Sequence, residues 1–123
     1  MARTFLLIAA LLGALGVALG AFGAHGLAAT FAANGRAGTY DTAVQYHLVH
    51  VLALLLTALL IRQQPQPWLT RAGYLFIAGI FIFSGSLYIL AVFDLGLMGA
   101  VAPVGGTTLI AGWLCLAAAA WNT

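Results

Sequence analysis

The chain is 123 residues long, 64% of them hydrophobic and 5% charged, with a mean hydropathy of +1.11. Soluble domains carry about 25% charged residues, so the composition excludes that class and places the chain among membrane proteins. The net charge of +2 comes from Arg3, Arg36, Arg62 and Arg71 against Asp41 and Asp94. These are too few and too scattered for a nucleic-acid surface, and the lone Cys115 excludes an intrachain disulfide.

The first uncharged run, Phe5–Ala24, carries glycine at Gly13, Gly16, Gly20 and Gly23. On a helix this spacing sets the four on one narrow stripe. Glycine costs about 1 kcal/mol relative to alanine in a water-exposed helix, but in a membrane it lets two backbones approach closely. The stripe therefore predicts a transmembrane helix over 4–25 whose glycine seam is a contact line. Arg3 and Ala21-Phe22-Gly23 resemble parts of a signal peptide. The run is longer than the ~7–15 residues of a signal core, however, so a retained span is expected.

From His25 to Thr42 the chain is too long and too apolar for a bare loop. Residues 27–33 read either as a short helix on the membrane surface, ended by Asn34-Gly35, or as a continuation of the first span. Thr42-x-x-Gln45 fits a capping box opening a second span over 42–62. Arg62-Gln-Gln-Pro-Gln-Pro67 is a polar, proline-broken turn. A third span follows over 71–93 and, after Asp94-Leu-Gly96, a fourth over 103–121, with Pro103 presetting its first turn. Each run is near the ~20 residues that cross a bilayer core. The expected fold is an all-α membrane protein, a four-transmembrane-helix bundle forming one integral-membrane domain over 1–123. Arg3, Arg62 and Arg71 share one side against Arg36 on the other, which predicts both termini in the cytoplasm.

The later spans also show stripes of alternating three and four spacing. The second presents His47, His50, Leu54, Thr57 and Ile61; the third Tyr74, Ile77, Phe81, Ser84 and Tyr88; the fourth Gly105, Thr108, Gly112, Cys115 and Ala119. Small stripes on the first and last spans (Gly13, Gly16, Gly20, Gly23; Gly105, Gly112) would receive the bulkier stripes of the middle two. The polar residues lie at similar depth below the outer face. Polar groups in lipid need partners, so one shared cluster is expected from Tyr46, His47, His50, Ser84 and Tyr88, with His25, Thr107 and Thr108 at its edge. The inner half, with Leu7, Leu59, Ile77 and Leu116, reads as dry.

Gly20-Ala-Phe-Gly-Ala-His-Gly-Leu27, Tyr46-His47-x-x-His50, Ser84-Gly85-Ser86-Leu87-Tyr88, Pro103-Val-Gly-Gly106 and Gly112-Trp113 together resemble the small bacterial inner-membrane proteins grouped as domain of unknown function 423. The resemblance covers nearly the whole chain. It implies an uncleaved protein of about four spans in the cell inner membrane, and it implies no reaction.

Three functions remain open on the residues. The first is a structural or interaction bundle whose histidines fix helix register, packing with itself or with a membrane-protein partner in the bilayer. The second is a module binding or moving a small ligand, ion or lipid head group. The third is a haem or metal carrier, for which His25, His47 and His50 are the available ligands. No glutamate exists for a di-iron site, and no carboxylate lies within a span to orient a Ser84–histidine pair. The chain is accordingly read as no enzyme, with no resident cofactor or metal. The Pro103–Gly106 segment reads either as an anion-binding helix N-terminus or, by preference, as a tight helix contact.

Overall fold

The computed structural model describes Met1–Thr123 and is helical throughout. Helix α1 covers Ala2–His25, a short α2 covers Ala28–Asn34, and α3 covers Ala37–Gln63; α4 runs over Pro67–Phe93 and α5 over Met98–Trp121. Helices α1, α3, α4 and α5 are each long and apolar enough to cross a membrane. The breaks follow local chemistry. Gln66 is extended (φ −156°, ψ 153°) before Pro67, which opens α4 as its first residue. Gly35 ends α2 at φ 66°, and Asp94 ends α4 at φ 53°. Glycine and aspartate are among the residues that accept this left-handed geometry.

The four spans do not form a symmetric square. Helices α3 and α4 occupy the centre, α1 packs along α3, and α5 packs along α4. The central pair buries about twice the share of its apolar length that the outer pair does. The core between them is apolar, built on Phe5, Leu12, Leu54, Phe76, Ile80 and Leu109. Large apolar residues such as Leu11, Leu52, Phe81 and Leu114 point outward, as a lipid-facing surface requires.

The glycine seams carry the two outer contacts. On α1, Gly23 lies against the Tyr40 ring, Gly20 against Val44, Gly16 against Leu48 and His47, and Gly13 against Val51. The whole seam thus faces α3. On α5, Gly105 lies against the backbone of Phe83, and Gly112 against the Phe76 ring. Small stripes on the outer helices receive bulky residues of the central ones.

Helix α4 departs from the regular pattern. Residues Ile80–Ser84 form a π turn between α-helical stretches Pro67–Gly79 and Gly85–Phe93. A π turn closes i→i+5 and holds one residue more than an α turn. The stripe expected at Tyr74, Ile77 and Phe81 is therefore one residue late. Tyr74 and Phe81 are exposed, while Gly73, Phe76 and Ile80 are buried. Beyond the bulge, Ser84 is buried and Tyr88 half-buried, both facing inward as expected.

Three further expectations are corrected. Helix α3 begins at Ala37, so Thr42 is internal and donates to the Gly38 carbonyl at 3.0 Å instead of capping. Helix α5 begins at Met98, so Pro103 lies within it and the Pro103–Gly106 segment is no helix N-terminus. On α5, Leu109 takes the buried place expected for Thr108, and Cys115 is only half-buried.

At the end of the bundle away from both termini, α2 straps the helices together. Asn34 Nδ2 donates to the carbonyls of Ala91 (3.3 Å) and Val92 (3.4 Å), which the end of α4 leaves without helical partners. Arg36 pairs with Asp94 at 3.1 Å, and Phe31 packs with Tyr40 and Ala91.

Candidate functional site

The expected single polar cluster divides into two clamps, one on each flank of α3. His47 and His50 are i, i+3 neighbours and both are buried, but they turn to different helices. His47 turns toward α1 and α4. Its Nε2 lies 2.8 Å from the carbonyl of Leu12, and its Nδ1 lies 2.8 Å from the Tyr88 hydroxyl. A carbonyl only accepts, so Nε2 carries the proton and Nδ1 accepts from Tyr88. The Leu12 carbonyl is within reach because Gly16, one turn on, has no side chain to hold the ring away.

His50 turns toward α5. Its Nδ1 donates to the Tyr46 carbonyl at 2.8 Å, and its Nε2 accepts from the Trp113 indole N–H at 2.9 Å. Phe76 stands beside both rings, 5.9 Å from His50 and 5.3 Å from Trp113 between centroids. Tyr46 stacks on His50 at 5.9 Å but offers its ring and its carbonyl, not its hydroxyl. The two clamps hold opposite tautomers. Each ring has one N–H and one lone pair, and all four are engaged.

Ser84 joins neither ring; its hydroxyl donates to the Ala43 carbonyl at 2.9 Å. His25 is exposed at the end of α1. Thr107 and Thr108 donate at 2.8 Å to the carbonyls of Pro103 and Val104 on their own helix. These four stand apart from the clamps. Trp113 and Tyr40 are the partners the sequence reading missed. Trp113 was legible: tryptophan prefers the membrane interface, and one set mid-span needs a partner for its N–H. Tyr40 donates to the Leu19 carbonyl and packs 5.4 Å from Tyr88, linking the α2 strap to the His47 clamp.

This geometry bears on metal and haem. A neutral imidazole binds metal through its lone pair. That of His47 is held by Tyr88 and that of His50 by Trp113, so ligation would break an interhelical bond in each case. No three histidine, cysteine or carboxylate side chains converge. Spaces next to the clamps are small or open. A crevice of about 100 Å³ between α1 and α4 reaches His47 and Tyr88. At the end of the bundle that carries both termini, a space of about 390 Å³ is lined by Gln63, Gln64, Gln66 and Leu116 among others, so that half has an apolar core but a polar mouth.

A family model described as "Protein of unknown function (DUF423)" matches residues 19–106, a stretch holding both clamp histidines and the α4 bulge. The chain belongs to this family. Among DUF423 relatives, the UPF0382 membrane protein YwdK of Bacillus subtilis is 40% identical over 119 residues, 96% of each chain. The UPF0382 inner membrane protein YgdD of Escherichia coli K12 is 40% identical over 111 residues, 90% of this chain and 84% of its own. The UPF0382 membrane protein SH2409 of Staphylococcus haemolyticus is 38% identical over 114 residues, 93% and 92% respectively. No solved structure matches. Together with its four spanning helices, this family makes the chain a small multi-pass protein of the inner membrane.

Proposed function

We propose that this DUF423 protein is a structural and interaction bundle, a rigid four-span scaffold with no chemistry at its histidines. One observation carries the reading: every donor and acceptor of His47 and His50 is matched by a neutral group on the chain, most of them on neighbouring helices. Groups so matched hold helices in register. They leave no lone pair for a metal, and no membrane-embedded carboxylate accompanies them to take a proton. Interhelical hydrogen bonds in membranes average only ~0.6 kcal/mol, so the clamps specify register more than they supply stability. We also read both termini as cytoplasmic: Arg3, Arg62 and Arg71 share the side of the bundle that carries the termini, which the positive-inside bias favours as the cytoplasmic one.

The test is an optical spectrum and metal analysis of the purified protein beside thermal unfolding of His47→Gln and His50→Phe. The reading expects no stoichiometric metal or haem. It also expects His47→Gln to be tolerated and His50→Phe to lower the unfolding temperature. Stoichiometric metal bound through either histidine would overturn it.

A further inference from the structure

Tyr74 and Phe81, expected in the core, lie instead along the open edge between α1 and α4. Helix α1 packs along α3 and meets α4 chiefly at its own start, where Phe5 lies against Gly73 and 5.3 Å from Tyr74 between ring centroids. Beyond that contact the two helices part. The crevice of about 100 Å³ between them is walled by Leu12, Leu15 and Leu19 on α1 and by Ile80, Phe81 and Gly85 on α4. Gly85 is unlike the seam glycines. No atom of the chain lies within 4 Å of where its Cβ would stand. Close packing within the chain therefore gives no reason for a residue that weakens a helix by about 1 kcal/mol relative to alanine. A side chain there would enter the crevice.

The same edge has a cationic end. Trp68, Arg71 and Tyr74 follow each other at steps of three on one face of α4, and all three are exposed. The Arg71 guanidinium sits 4.7 Å from the centre of the Trp68 ring, which holds it in place without neutralising it. No carboxylate balances it. Arg3, Arg62 and Arg71 share the end that carries both termini, whereas Asp41 and Asp94 lie at the α2 end, where Asp94 takes Arg36. One turn deeper, the Tyr74 hydroxyl has only the Met1 thioether, a weak acceptor 3.5 Å away. A planar guanidinium suits a phosphate, and a hydroxyl one turn further in can donate to an ester carbonyl. Gly85 lies eleven residues beyond Tyr74, about 16 Å along a helix, and one leaflet holds about 15 Å of hydrocarbon. The edge thus matches the headgroup, ester and chain of a phospholipid in order and in length.

We propose that this edge binds one anionic phospholipid, its phosphate on Arg71 and an acyl chain in the crevice beside Gly85. A headgroup without an amine is favoured, since a zwitterionic one brings a further cation to an end that holds no acid. The site uses no histidine bond, so it goes beyond the scaffold reading and fails separately from it.

The test is native mass spectrometry of the full chain from mixed micelles holding equal phosphatidylglycerol and phosphatidylcholine. The wild type should retain one phosphatidylglycerol, several-fold in preference to phosphatidylcholine. Arg71→Gln, an exposed change, should lower that retention about fivefold, as loss of one arginine at an anionic surface does. Gly85→Leu should lower it as well while the unfolding temperature holds; Gly85→Ala, whose methyl meets no atom of the chain, replaces it if the leucine variant does not fold. Arg62→Gln, at the same end but on α3, should stay near the wild-type level. Equal retention of the two lipids by the wild type would overturn the proposal. Equal losses in Arg71→Gln and Arg62→Gln would overturn it too, by reducing the preference to net charge, as would a folded Gly85 variant that retains the lipid as before.

Discussion

His47 and His50 sit three residues apart on one helix, yet they carry their protons on different nitrogens. This difference is directly measurable. Nitrogen-15 spectra of the histidine rings should show His47 protonated at Nε2 and His50 at Nδ1, each a single tautomer. Added zinc should leave both ring spectra unchanged, because each lone pair already accepts a hydrogen bond. Trp113→Phe keeps the ring packing against Phe76 but strands the lone pair of His50. Leaving a buried acceptor unpaired costs about 1–3 kcal/mol in water-soluble proteins and less in lipid. We expect a lowered unfolding temperature and a freely exchanging His50 tautomer. In a double-mutant cycle, Trp113→Phe combined with His50→Phe should cost less than the two single changes added together. The inward placement of both histidines was legible, because polar groups in a span must turn to the bundle. Their separation was not. Sequence spacing puts residues 47 and 50 on one face, but that face spans two neighbouring helices, and only the position of Trp113 decides which ring turns where.

At the scale of the helix, the glycines are not equivalent. A methyl added at Gly13 or Gly20 would stand 3.4 Å from Val51 or Val44, an ordinary contact. At Gly16 it would stand 2.6 Å from the flexible end of Leu48, which can give way. At Gly105 it would meet the Phe83 backbone, which cannot. The expected order of damage is therefore Gly105→Ala above Gly16→Ala above Gly13→Ala and Gly20→Ala. The first should cost about 1–3 kcal/mol, as overpacking does, and the last two should be near neutral. Unfolding in mild detergent with a denaturing co-detergent checks the order. The glycine stripes were legible because 3–4–3 spacing of a small residue has few other uses in a membrane. The α4 stripe was legible only beyond the bulge. No residue type announces a π turn in Ile80-Phe-Ile-Phe-Ser84, since its cause is tertiary: Ser84 reaches the Ala43 carbonyl, and Phe83 lies against Gly105.

For the whole molecule, four spans and their order along the chain were readable from charge-free runs and proline breaks. The central position of α3 and α4 was not. Hydropathy reports how apolar a helix is, and lipid and protein core are equally apolar. Single cysteines placed at 63–70 in a Cys115→Ser background should react only with reagents that reach the cytoplasm; labelling from outside would reverse the topology. The α2 strap predicts a graded response. The Arg36–Asp94 pair is exposed, its side chains 35% and 51% accessible, so Asp94→Asn should cost less than 1 kcal/mol. Asn34→Ala uncovers two carbonyls at the end of α4 and should speed amide hydrogen exchange at that end and in α2.

The π turn gives α4 a property that a continuous α-helix lacks. In an ordinary span, removing one residue rotates everything beyond it by about 100° relative to what came before, scrambling one of the two halves. Here the surplus residue is already stored near the middle of the helix. The two halves of α4 are set at separate phases, Gly73–Phe76–Ile80 toward Phe5 and α5, Ser84–Tyr88 toward α3. Deleting a single residue among Phe81–Phe83 should tighten the turn to α geometry and leave Tyr88 facing His47 and the packing around Phe76 intact, whereas the same deletion elsewhere in α4 should rotate one half away from its partners. Loss of a residue, normally barred from a membrane helix, thus has one place in this protein where it is absorbed without turning either half of the helix from its partners.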